Sequence, residues 1–263
     1  MPGPNKWTTR FLNIKWSRTN PARGWLLRFV VCIIVVAPAR ADEPTPESDG
    51  AKKNTVHWPD EQSQGMPLVF SEDFQQGSQR WKTTDDTAWA LSRDEENQVF
   101  GLNRRISNYQ PKFRSPHNIA LIKDIEVSSF VLIFRVKSTN DTGNHRDCCV
   151  FLGYQSPTKF YYAHLGAQPD PASGQIMIVN DAARRPLTEN QKTVPWDDKW
   201  HTVKVVRDSQ EGLIEVYFDN MESPHMTVVD KTFASGQVGL GSFDDMNDFD
   251  DVRLYGLQNS EAK

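Results

Sequence analysis

Five aspartates fall within Asp244–Asp251, inside the stretch G-Q-V-G-L-G-S-F-D-D-M-N-D-F-D-D-V-R-L-Y-G that runs from Gly236 to Gly256. So much like charge in one place attracts a cation, and hard carboxylate oxygens suit calcium. The same residues would also serve as a solvated acidic turn, and composition alone leaves both readings open. A second chemically capable group lies upstream. If Cys148–Tyr154 and Lys159–Leu165 are strands, side chains two apart share a face. Asp147, Cys149 and Phe151 then share one face, and Phe160, Tyr162 and His164 share the corresponding face of the next strand. The opposite set (Cys148, Val150, Leu152; Tyr161, Ala163, Leu165) is more uniformly apolar and reads as core.

An aromatic and polar sheet face is what a sugar-binding groove needs. Rings stack on the apolar C–H faces of a pyranose, and polar groups pair with its hydroxyls. The competing reading is a second apolar layer, or a face covered by loops. On the groove reading Asp147, Phe151, Tyr162 and His164 line the floor. Arg146 flanks it, and the polar loop that carries Asn180, Asp181 and Arg184 forms a rim. Asp147 with His164 is the one acid/base pair available to an enzyme here. The remaining histidines are scattered, with no H-E-x-x-H spacing that would mark a catalytic zinc. His201 alternates with Val203 and Val205 and reads as a structural histidine. No G-x-S-x-G elbow is present, and neither Cys148 nor Cys149 has an obvious base beside it.

These residues must be positioned by strands. From Leu68–Phe70 to Phe249–Tyr255 the chain offers thirteen short strand candidates separated by turn signals, and no window has sustained helical periodicity. That pattern predicts an all-β chain: a two-sheet antiparallel β-sandwich of the jelly-roll kind. The longest candidate, Glu126–Ser138, places Phe130, Leu132, Phe134 and Val136 on one face. Val238 and Leu240 alternate with Gly239 and Gly241, which leave room for a close backbone approach. Residues 65–257 read as one domain. Residues 42–64 are a polar, Pro-containing flexible lead, and 258–263 a tail.

The first 41 residues are different material, with seven Lys or Arg and no Asp or Glu. Phe29–Ala37 is an apolar run of nine, too short to span a bilayer, and Ala39-Arg40-Ala41 follows with small residues at the positions a signal peptidase reads. The expectation is a signal peptide cleaved before Asp42, a secreted or periplasmic protein, and no stable membrane insertion afterwards. Retention of the segment as an anchor is the alternative. The full chain has 30 basic and 34 acidic residues, net −4. Losing those seven basic residues leaves 23 against 34, net −11. Such an acidic protein is a poor partner for nucleic acid or anionic lipid, and leaves polysaccharides, oligosaccharides and cations open. Of the three cysteines only Cys148 and Cys149 lie outside this segment. Neighbouring cysteines rarely bridge, so the fold does not rest on disulfides.

The strand string and its motifs resemble the concanavalin A-like lectin/glucanase superfamily. The motifs are F-S-E-D-F (Phe70–Phe74), W-H-T-V-K-V (Trp200–Val205), I-E-V-Y-F-D (Ile214–Asp219) and the closing F-D-D-V-R-L-Y. The superfamily includes laminin-G-like modules, family 16 glycoside hydrolases and 3-keto-disaccharide hydrolases. The resemblance implies a concanavalin A-like jelly roll. Family 16 enzymes carry a structural calcium held by an acidic residue of the first strand, an Asp of the closing strand and a backbone carbonyl. The matching positions here are Asp73, Asp250 and Gly101. Their catalytic E-x-D-x-x-E strand is absent, since Glu215, Asp219 and Glu222 have the wrong spacing. The leading expectation is therefore a secreted, calcium-stabilised module that binds glycan without turnover. The alternatives are a glycoside-acting hydrolase or lyase resembling the 3-keto-disaccharide hydrolases, and a laminin-G-type protein interaction module.

Overall fold

The computed structural model describes residues 63–258. The expected signal segment, most of the lead and residues 259–263 lie outside the described residues.

Among the described residues, fifteen strands form two antiparallel sheets. The thirteen expected strands are all present, and Trp81–Thr83 and Arg185–Pro186 are added. These two are only three and two residues long, too short to show a period of two. In chain order the strands are β1 Leu68–Glu72, β2 Trp81–Thr83, β3 Trp89–Asp94, β4 Asn97–Leu102, β5 Asn118–Ile122, β6 Val127–Ser138, β7 Cys149–Ser156 and β8 Lys159–His164. They continue with β9 Ile176–Asn180, β10 Arg185–Pro186, β11 His201–Asp208, β12 Leu213–Phe218, β13 Met226–Val229, β14 Gln237–Ser242 and β15 Asn247–Gln258. One sheet has the order β13-β12-β11-β6-β15-β4-β3, with β1 also paired to β15. The other has the order β10-β9-β8-β7-β14-β5-β2. No helix among the described residues is long and apolar enough to cross a membrane.

The main core lies between the sheets. It takes Phe130, Leu132, Phe134 and Val136 from β6, and Phe249, Val252 and Leu254 from β15. From the facing sheet it takes Val150, Leu152, Tyr161, Ala163, Val238 and Leu240. The parity read from the sequence holds for β6, β7, β8 and β14. Gly241 is where β5 presses closest on β14: a Cβ there would lie 1.9 Å from the Asn118 carbonyl oxygen. Only glycine allows that approach.

The second sheet is apolar on both faces. β5 is buried along its whole length, and β8 and β9 nearly so. Its outer face carries a second hydrophobic layer of Ile119, Leu121, Phe151, Phe160, Tyr162, Met177 and Val179. Strands covered on both faces need such continuous apolar sequence.

Candidate functional site

The expected groove face is assembled as predicted and then filled. Phe151 pairs with Tyr162, and Cys149 with His164, across β7 and β8. The side chains share a face, but Phe151 and Tyr162 are fully buried and Asp147 and His164 nearly so. Tyr109 and Phe243 pack over this layer from outside the sheet. Arg184 closes it: its guanidinium lies 4.0 Å from the centre of the Phe243 ring and donates to the Tyr162 hydroxyl at 3.0 Å. The Arg184 backbone N–H donates to the Arg114 carbonyl at 3.0 Å. The segment between β4 and β5 and the turn after β9 thus strap the sheet. The open concave floor expected of Asp147, Phe151, Tyr162 and His164 is instead a covered layer, because the apolar outer residues of β5 and β9 had to be buried. Asn180 and Asp181 are exposed at the end of β9, where Asp181 accepts from Thr158 Oγ1 at 2.7 Å and faces Lys159 Nζ at 3.4 Å.

Asp147 and His164 belong to a buried polar knot. Asp147 Oδ1 accepts from Ser242 Oγ and from the Phe243 backbone N–H, both at 2.8 Å. His164 Nε2 lies 3.8 Å from that oxygen, and Cys149 Sγ 4.0 Å. Burial alone would raise the Asp147 carboxyl, but His164 and the donors of Phe243 and Ser242 outweigh it and hold it below the ordinary carboxylate value. Burial pushes both cysteine thiols well up, and the Asp147 charge adds to that. The knot fastens the turn before β15 to the start of β7.

The residues expected to hold calcium are placed as follows. Asp250 is fully buried, and its Oδ2 accepts from Asn97 Nδ2 at 2.8 Å. Asp73 Oδ1 accepts the Gln75 backbone N–H at 3.1 Å in its own turn. In the β4–β15 register Gly101 stands opposite Asp248, not Asp250.

An open cleft of about 330 Å³ lies instead at one end of the sandwich. Its walls are Asp141, Gly143, Asn144 and Arg146 from the loop before β7, Ala167 and Gln168 after β8, and Thr193–Trp196 before β11. Backbone bonds tie the three loops together. The Ala167 N–H donates to the Arg146 carbonyl at 2.9 Å, and the Val194 N–H to the Ala167 carbonyl at 3.2 Å. Trp196 is fixed by donation from Nε1 to the Leu165 carbonyl at 2.8 Å and by edge contacts with His201 and Phe218. His201 is buried, bonded at Nδ1 to Asp219 at 2.8 Å, and structural as expected.

Arg146 is the one expected groove residue that lines this cleft. It is 6% exposed and pairs with Asp141 and Asp198 through NH2, while its Nε is buried with no hydrogen-bond partner. An unsatisfied donor on a buried cation is costly unless something else satisfies it. Around it Asp141, Asn144 and Gln168 are exposed, and Trp196 is half-buried. The sequence reading missed these four. The one available signal was a tryptophan in a proline- and aspartate-rich loop, P-W-D-D-K-W, away from any strand core.

No known protein family matches the sequence, and no curated protein matches it. Solved structures do share its architecture. A protein of unknown function with a galectin-like fold from Bacillus subtilis superposes with a TM-score of 0.50 at 7% identity, covering 72% of this chain and 96% of that one. The fold is a concanavalin A-like jelly roll. Two further matches are looser. The carbohydrate binding module CBM66 from Bacillus subtilis gives a TM-score of 0.48 at 16% identity, over 67% of this chain and 96% of that one. The winged bean acidic lectin, complexed with methyl-alpha-D-galactose, gives 0.45 at 12% identity, over 72% and 97%. At such identities the likeness concerns the fold alone.

Proposed function

We propose that this jelly roll recognises carbohydrate without turning it over, and that the glycan binds in the Arg146–Trp196 cleft rather than on the covered sheet face. The observation that carries the reading is the composition of that cleft: an arginine held by Asp141 and Asp198, beside Asn144, Gln168 and an indole held in place by its own Nε1–H bond. Donors and acceptors converging beside a fixed aromatic suit a ring that presents hydroxyls and C–H faces together. The cleft volume is at the small end for ligand sites of about 300–1,000 Å³, which fits the end or a short stretch of a glycan. Screening the protein against polysaccharides and oligosaccharides, with analysis for released products, tests this. Binding without products supports it, and products would favour the glycoside hydrolase or lyase alternative.

The filled sheet face favours a second reading, the laminin-G-type module that meets a protein partner through its loops. Failure of every glycan to bind would favour that reading. A structural calcium at Asp73, Gly101 and Asp250 stays within the proposal as a stabiliser only. The burial of Asp250 on the closing strand supports it, and the register of Gly101 against Asp248 counts against the Gly101 carbonyl as a ligand.

A further inference from the structure

The covered sheet face buries a second cluster of chemically capable side chains. Asp147, Cys149 and His164 each offer a metal-ligating atom, all three are buried, and these atoms lie within 4.8 Å of one another. No sequence spacing announces the set; strand pairing makes it. Cys149 and His164 are cross-strand partners on β7 and β8, and Asp147 lies two residues before Cys149.

The hydrogen bonding of His164 sharpens the case. Its Nδ1 lies 3.1 Å from the Ala172 carbonyl, which can only accept, so Nδ1 carries a hydrogen. Its Nε2 is left facing Asp147 Oδ1 at 3.8 Å. That gap is too long for a hydrogen bond, and the Cys149 sulfur lies 4.0 Å from the same oxygen. A histidine whose far nitrogen donates to a backbone carbonyl is the arrangement that presents the other nitrogen to a metal.

We propose that Asp147, Cys149 and His164 bind a divalent ion of the zinc class, one that accepts sulfur, nitrogen and oxygen together. Zinc distances of about 2.0–2.3 Å to each ligand require the three atoms, now within 4.8 Å of one another, to draw in. Ser242 Oγ, 2.8 Å from Asp147 Oδ1, stands beside the site. Loading replaces the thiol proton of Cys149 with the ion and releases that proton to solvent. The site is structural, since none of the three residues lines the cleft, and its existence is independent of glycan binding.

The test uses the full chain, stripped with chelator and titrated with zinc, and separately with cobalt(II) as the coloured probe. The expected result is one ion per chain and the intense absorption of a cobalt–thiolate bond. Cys149→Ser abolishes that absorption, and His164→Gln weakens binding roughly tenfold or more. Cys148→Ser keeps the absorption, because Cys148 packs into the main core on the opposite face. Should a Cys149 or His164 variant fail to fold, the wild-type titration together with Cys148→Ser decides. The proposal is overturned if the wild-type chain shows no cobalt–thiolate absorption. It is also overturned if the absorption survives Cys149→Ser.

Discussion

Arg184 holds a phenol and a ring at once, and that contact decides what the β7–β8 face can do. Its guanidinium donates to the Tyr162 hydroxyl and covers Phe243. Tyr162→Phe is expected to cost about 1 kcal/mol, measured by chemical denaturation, because one charge-assisted bond is lost while the packing stays. Glycan binding should be unchanged, and a loss of binding without a loss of stability would restore the sheet face as the site. A second residue-scale prediction concerns Asp248. Burial, with the nearby Asp94 charge, raises its carboxyl from 3.8 to about 6, against the opposing pull of Lys137 and Ser92. The folded state therefore binds this proton more tightly than the unfolded state. The stability it confers is complete below 3.8 and is lost as pH rises through about 6. Asp248→Asn should flatten that slope and stabilise the fold above this range by about 1–2 kcal/mol, allowing for its partial exposure. Melting curves across this range check it; an unchanged slope in the variant would contradict it. The face shared by Asp147, Phe151, Tyr162 and His164 was legible from parity. Its cover was not, because Tyr109, Arg184 and Phe243 reach it from distant parts of the chain. A partial signal existed in Ile119, Leu121, Met177 and Val179, whose apolar side chains on the same face call for a lid.

Strands β14 and β15 show why the closing stretch reads so clearly as sequence. Val238 and Leu240 meet the core, Gly241 admits the β5 backbone, and β15 pairs with β6, β4 and β1. Gly241→Ala would drive a methyl into the Asn118 carbonyl, a backbone atom that cannot rotate away. A loss of about 1–3 kcal/mol is expected, and a variant as stable as wild type would show that β5 is free to shift. The acidic turn was harder to interpret. Asp245 Oδ2 accepts from the Asp147 N–H and Asn247 Nδ2 donates to the Asp147 carbonyl, while Oδ1 of each is buried without a partner. Asp245 and Asn247 therefore help fasten this turn to the start of β7, which charge density alone could not reveal. If calcium also joins β15 to the turn after β1, chelator should lower the melting temperature and Asp250→Ala should remove the response. An ion at 100 times its dissociation constant contributes about 2.7 kcal/mol. Wild-type melting that ignores both chelator and added calcium would dismiss the site.

At the scale of the whole molecule, the two-sheet architecture was readable because alternation and turn residues recur along most of the chain, and packing two apolar faces is the stable answer to that pattern. The cleft end was less readable. Asp141, Asn144, Gln168 and Trp196 come from three loops, brought together by backbone bonds among Arg146, Ala167 and Val194 and by the indole bond to Leu165. Loop convergence of this kind has no period in sequence. The account stands most directly on calorimetric titration of the best glycan from the screen into wild type, Asn144→Ala, Gln168→Ala and Trp196→Ala, with each variant's melting curve beside it. It predicts that Trp196→Ala weakens binding by about 2 kcal/mol or more, with smaller losses at Asn144 and Gln168, while the folded structure persists. Wild-type affinity in all three variants would contradict it.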